Sequence, residues 1–153
     1  SRRGLPVKLG LAQRGYGVVT LHRPSNVDEP GRLAGLAGIL GRLAVRMPIV
    51  FPVHPRTRGR LEAAGLWAPL ERNPGMRLME PVGYVDFMSL VFEAAYVLTD
   101  SGGVQEETTY LGIPCLTLRE NTERPVTVTQ GTNRLVRPEA VEPAVETSAP
   151  PAL

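Results

Sequence analysis

Along residues 16–136 the chain alternates between short unbroken apolar runs and longer stretches in which apolar positions recur every three or four residues. The unbroken runs predict strands at 16–21, 48–53, 76–79, 96–99 and 113–118, with a short sixth at 134–136. Between the first two, Leu33, Leu36, Ala37, Leu40, Leu43, Ala44 and Met47 fall on one helical face. Further helices are predicted at 57–66, 85–95 and 104–111. Phe87, Leu90, Val91 and Ala94 share the inner side of the second of these, and Gly112 closes the third. Gly35, Gly38 and Gly41 each lower the propensity of the first helix by about 1 kcal/mol and are expected to let it lie close to a sheet. Strands that are apolar on both faces and alternate with helices predict an α/β fold built on a doubly wound parallel sheet.

That architecture says where a ligand would bind. In a sheet of order 3-2-1-4-5, ligands sit beyond the carboxyl ends of the strands where the order reverses, between the first and the fourth. The first strand runs into Leu21-His22-Arg23-Pro24-Ser25-Asn26, the fourth into Thr99-Asp100-Ser101-Gly102-Gly103. With this order the two most polar strand ends meet in one crevice. Ser101, Gly102 and Gly103 then open a helix, whose unpaired N–H groups and positive dipole end suit a phosphate. Two plainer uses compete. Asp100 or Ser101 serves as an N-cap, and Glu106 and Glu107 serve as first-turn acids favoured by the dipole. One of the glutamates is also suited to accept from ribose hydroxyls. The loop has no lysine at Walker spacing, so it is not a P-loop.

His22 and His54 both follow strands. Each is either a hydrogen-bonded loop residue or a functional group at the ligand side of the sheet. Neither has a second ligand-type residue at metal-site spacing. Cys115 lies inside a strand and reads as a small core residue. Phe87 is placed to pack in the core, and a ring near a loop is also placed to stack a base.

Composition narrows the class. The 153 residues are 42% hydrophobic, enough for one domain with a real core. A single cysteine rules out an internal disulfide framework and fits a reducing, cytoplasmic setting. No apolar run approaches the ~18 residues a membrane span needs. All but Lys8 of the 17 basic residues are arginine, scattered with little aromatic interleaving, which argues against a nucleic-acid partner. Residues 1–15 read as a lead-in, 16–136 as one Rossmann-like domain, and the Pro-, Ala- and Glu-rich 137–153 as a disordered tail; both ends suggest a piece of something longer.

The blocks VTLHRPSNVD, FPVHPRT, EPVGYVDF, TDSGGVQEE, LGIPCLTLRENTERP and VTQGTN occur in this order. Together they resemble the non-hydrolysing UDP-N-acetylglucosamine 2-epimerases, from about Gly17 to Val136. The resemblance implies one half of a glycosyltransferase-B type two-domain fold, here the C-terminal half, with 16–136 as its UDP-binding domain and 1–15 as a lead-in from the missing domain. It implies interconversion of UDP-GlcNAc and UDP-ManNAc by elimination of UDP to 2-acetamidoglucal and re-addition, with neither nicotinamide nor metal as cofactor. It implies a homodimer of the full-length protein that supplies ManNAc units for surface polysaccharide.

Residue by residue, Ser101, Gly102 and Gly103 match the diphosphate loop and Glu107 the acid on the ribose. Phe87 matches the uracil-contacting segment, Arg124 an arginine near the nucleotide, and His22 and Arg23 the cleft-facing pair. His54 matches a histidine that touches a regulatory UDP-sugar in some bacterial members. Pro24 stands where many members have a second arginine. The carboxylates for C2 proton transfer belong to the family's N-terminal domain, so turnover by this chain alone is not expected. The alternatives are a donor-binding domain of a glycosyltransferase, a hydrolysing epimerase, and a non-catalytic UDP-sugar binding module. An epimerase makes the ManNAc isomer from UDP-GlcNAc without an acceptor, which separates it from a transferase.

Overall fold

Six strands, β1 (Gly17–Thr20), β2 (Ile49–Pro52), β3 (Met76–Met79), β4 (Tyr96–Thr99), β5 (Cys115–Thr117) and β6 (Asn133–Leu135), form one sheet in the order β3-β2-β1-β4-β5-β6. Every neighbouring pair is parallel. The computed structural model describes residues 6, 9–21, 23–100, 113–118, 133–135 and 140–148. The sheet is the predicted doubly wound one, and its order reverses between β1 and β4.

Side chains alternate across each strand, so the sheet has two apolar faces. On one face Val19, Ile49, Phe51, Leu98 and Leu116 pack against the helix α2 (Pro30–Arg46), which follows the single turn α1 (Pro24–Val27). Every apolar position that the periodicity assigned to this helix is buried, and Ile39 joins them. On the other face Val18, Val50 and Val97 pack against Leu90, Val91 and Ala94, in and just after the helix Tyr84–Phe92. The glycines of α2 do not face the sheet. Gly35 and Gly38 lie on the outer surface, and a Cβ at Gly35 would meet nothing within 4 Å. The expectation of a close helix–sheet approach through these glycines is therefore wrong, because the helix seats its branched face inward.

After β2, helix α3 (Pro55–Ala63) ends earlier than the sequence predicts. Gly65 takes φ +72°, its N–H donates to Glu62 O at 3.1 Å, and Leu66 N–H donates to Leu61 O at 2.8 Å. This pair of bonds is a Schellman stop, which needs a residue free to adopt positive φ. Helix α4 (Trp67–Arg72) follows, an element that two apolar positions, Leu66 and Leu70, were too few to announce. Helix α5 (Tyr84–Phe92) follows β3, and the helix predicted at 104–111 lies outside the described residues.

The tail departs from expectation. Residues Val141–Ser148 form helix α6, where the composition predicted disorder. Val141, Ala144 and Val145, at positions i, i+3 and i+4, are buried against the α2 face of the sheet. An Arg42–Glu142 ion pair at 2.7 Å joins α6 to α2. Pro143 is tolerated because a first-turn N–H has no helical acceptor to lose. Docking, not propensity, makes this segment a helix.

Candidate functional site

The carboxyl ends of β1 and β4 lie side by side, with Thr20 paired to Thr99. Their hydroxyls are 2.7 Å apart. One step further on, the carboxylate of Asp100 is buried and faces the loop that leaves β1. Its Oδ2 accepts the main-chain N–H of Arg23 and the Nδ2 of Asn26, both at 2.9 Å. The Nε of Arg23 reaches the Asp100 carbonyl at 3.3 Å. Asn26 is itself buried. Its Nδ2 also lies 3.4 Å from the Leu118 carbonyl just past β5, and its Oδ1 accepts Arg32 Nε at 2.7 Å. Three strand ends are thus tied at one point. On the other side of the same loop, buried Thr57 donates its hydroxyl to the Leu21 carbonyl at 2.8 Å, which ties α3 to the end of β1.

Of the residues singled out from sequence, Arg23, His54 and Phe87 are described. His22, Ser101, Gly102, Gly103, Glu107 and Arg124 lie outside the described residues. Their described neighbours are well placed: Leu21 and Arg23 flank His22, and Asp100 immediately precedes Ser101. Arg23 is half-buried at the crevice. His54 is exposed and caps α3, its Nδ1 accepting the Arg56 N–H at 3.2 Å. That bond leaves the ring proton on Nε2, the atom free for a ligand. Phe87 is half-buried in the first turns of α5 and packs against the second apolar cluster. The buried Tyr16 hydroxyl donates to the Leu90 carbonyl and so anchors α5 beside β1. Asn26 is the residue that sequence reading missed. It stood within the quoted LHRPSN block, but nothing local marks an asparagine whose partners are 74 and 92 positions away.

Asp28 ties the same loop to α3. Its carboxylate pairs with Arg56 and, at 3.1 Å, with Arg60. The hydrogen bond from Arg56 holds this carboxyl below the ordinary carboxylate range, with the nearby charge of both arginines acting the same way. A depressed folded-state pKa stabilises above the unfolded value and loses that contribution as pH falls through the folded one. Asp28→Asn is therefore expected to lower the unfolding midpoint slightly at pH 7, and by progressively less as pH falls below the ordinary carboxylate range. Melting curves of the two proteins across that range check this; a gap that persists at low pH would rule out the ion pairs as its source.

An open cavity of ≈ 440 Å³ lies elsewhere, along the edge strand β3 between Arg58, Trp67, Met76 and Glu80. Two strands separate it from the β1–β4 boundary. Among the described residues no group of three His, Cys, Asp or Glu is spaced to hold a metal ion, and no helix is long and apolar enough to cross a membrane.

A parallel sheet of this order, with polar groups gathered at its switch point, defines a Rossmann-like domain. Comparison with known proteins gives the family. A family model described as UDP-N-acetylglucosamine 2-epimerase matches residues 3–149. The UDP-N-acetylglucosamine 2-epimerase of Methanocaldococcus jannaschii is 47% identical over 123 residues, 79% of this chain and 34% of that relative. The UDP-2,3-diacetamido-2,3-dideoxy-D-glucuronate 2-epimerase of Pseudomonas aeruginosa is 44% identical over 130 residues, 84% of this chain and 35% of that relative. The crystal structure of the M. jannaschii enzyme in complex with UDP-GlcNAc and UDP matches with a TM-score of 0.81 at 43% identity, covering 88% of this chain and 38% of that one. The chain belongs to the UDP-N-acetylglucosamine 2-epimerase family. It spans about a third of the length of the curated relatives it matches.

Proposed function

We propose that these residues form the UDP-binding half of an enzyme that interconverts UDP-GlcNAc and UDP-ManNAc. The observation that carries this reading is the meeting of the β1 and β4 ends, where Asp100, the residue before Ser101, is bonded to Arg23, the residue after His22. In the proposed reaction a proton leaves C2 and the C1–O bond to UDP breaks, giving 2-acetamidoglucal and UDP. UDP then returns to C1, and C2 is protonated on the opposite face. The segment Ser101-Gly102-Gly103 holds the departing diphosphate with main-chain N–H groups, whose dipoles oppose the charge that develops there. Glu107 accepts from the ribose hydroxyls, Phe87 lies by the uracil, Arg124 stands near the nucleotide, and His22 and Arg23 face the sugar. His54 is the candidate contact for a second, regulatory UDP-sugar. The acid and base at C2 come from outside these 153 residues, so the chain alone binds UDP without turning over substrate. The same reading places the whole enzyme in the cytoplasm as a homodimer.

Calorimetric or NMR titration of the chain with UDP tests the site. Ser101→Ala is expected to weaken binding several-fold, and Glu107→Ala by about ten- to a hundred-fold, the range for losing hydrogen bonds to a charged group. Equal affinity in all three proteins would sink the assignment.

A second reading differs only in the sugar. The 44% identity to the P. aeruginosa enzyme, beside 47% to the M. jannaschii enzyme, makes a UDP-2,3-diacetamido sugar acid the alternative substrate. The nucleotide half serves both. Presenting the whole enzyme with each UDP-sugar, without acceptor, separates them by which 2-epimer accumulates.

A further inference from the structure

The tie between Asn26 and Asp100 has a chemistry that a single residue type fits. Asn26 faces two acceptors with its nitrogen, Asp100 Oδ2 at 2.9 Å and Leu118 O at 3.4 Å, and a donor with its oxygen, Arg32 Nε at 2.7 Å. An amide offers both kinds of group in one plane. Aspartate, its isostere, would turn an acceptor towards two acceptors. Leucine would take from each of these three partners the bond that it makes with Asn26 in a buried place. Asp100 passes the constraint on, since its Oδ2 also takes the Arg23 N–H while its carbonyl takes Arg23 Nε.

We infer that Asn26 and Asp100 are positioning residues of the UDP site: they set the spacing between Arg23, past the end of β1, and Asp100, past the end of β4, without touching the ligand. This rests on the UDP reading above. A diphosphate held by main-chain N–H groups responds to sub-ångström changes in its cradle. A pin shared by the ends of β1, β4 and β5 is the part of the fold that fixes this spacing.

Asn26→Asp tests it through a signature that a merely structural role does not produce. Among the described residues, the charged groups around position 26 are Asp100 past β4, Arg23 before α1 and Arg32 on α2; Glu29, at the start of α2, is turned onto the N–H groups of Gly31 and Arg32. At pH 7.5 the variant sets two carboxylates against each other, and UDP affinity of the folded population, followed by NMR, is expected to fall about ten-fold or more. Carboxylates about 3 Å apart share a proton well above the ordinary range. At pH 5 the shared proton restores a donor, and affinity is expected within about three-fold of the unmodified chain measured at the same pH. Affinity equal to the unmodified chain at both pH values overturns the inference while leaving the UDP reading intact. An unmodified chain that does not bind UDP overturns both. If Asn26→Asp does not fold at pH 7.5, Arg32→Met carries the test. It frees the amide to turn and is expected to weaken UDP binding by about three- to five-fold; unchanged binding there overturns the inference.

Discussion

Gly75→Ala is expected to destabilise the chain by about 3 kcal/mol or more, lowering the unfolding midpoint by roughly 10 °C. The reason is space. A Cβ at this position would stand 1.9 Å from the Ala44 carbonyl oxygen and 2.8 Å from its carbon, both main-chain atoms. No rotamer change relieves such a contact, so either the last turn of α2 or the start of β3 must move. Neither moves freely. Gly75 carbonyl accepts the Ile49 N–H at 2.8 Å, opening the β2–β3 ladder. Its N–H donates to Asn73 Oδ1 at 3.0 Å, and Asn73 Nδ2 donates back to Gly41 O on α2 at 3.0 Å. Gly65→Ala is the control that separates space from conformation. That position has nothing within 4 Å of a Cβ but holds positive φ, so it should lose only about 1 kcal/mol. Denaturant melts of the two variants side by side check this; a smaller loss at Gly75 than at Gly65 would contradict the packing of α2 on β3.

Asp100→Leu is expected to cost a similar amount, about 3 kcal/mol, for a different reason. It removes the acceptor from the Arg23 N–H and from buried Asn26 Nδ2 at once. Each donor left unmet away from water costs about 1–3 kcal/mol. Asp100→Asn is expected to lose much less, because both donors converge on one oxygen and an amide oxygen turned to that place accepts both. Thermal melts of the two variants measure the contrast. Equal losses would mean that the two bonds at Oδ2 are not what the side chain supplies.

Much of this fold was legible before any coordinates. Val18, Val50, Val97 and their neighbours form unbroken apolar runs because a parallel sheet buries both faces. The stripe from Leu33 to Met47 announced α2 because one helical face meets that sheet. The polar ends of β1 and β4 were expected side by side on the common order 3-2-1-4-5, and the sheet has that order. Other features were not readable. The 137–153 segment looks disordered by composition, and only contact with α2 and the sheet gives Val141, Ala144 and Val145 a surface to cover. Gly35 and Gly75 look alike in a sequence, yet one faces open space and the other a carbonyl at 1.9 Å.

The sequence by itself therefore determined the class of fold and the family, since each is written in periodicities and motifs a few residues long. The tertiary structure alone decided that Asn26, Asp100 and Leu118 share one point, that His54 spends its Nδ1 on a helix cap, and that the tail docks as a helix. The physical reason is distance along the chain. Local rules act over one or two turns, whereas a hydrogen bond between residues 26 and 118 exists only once a whole sheet has been laid down between them.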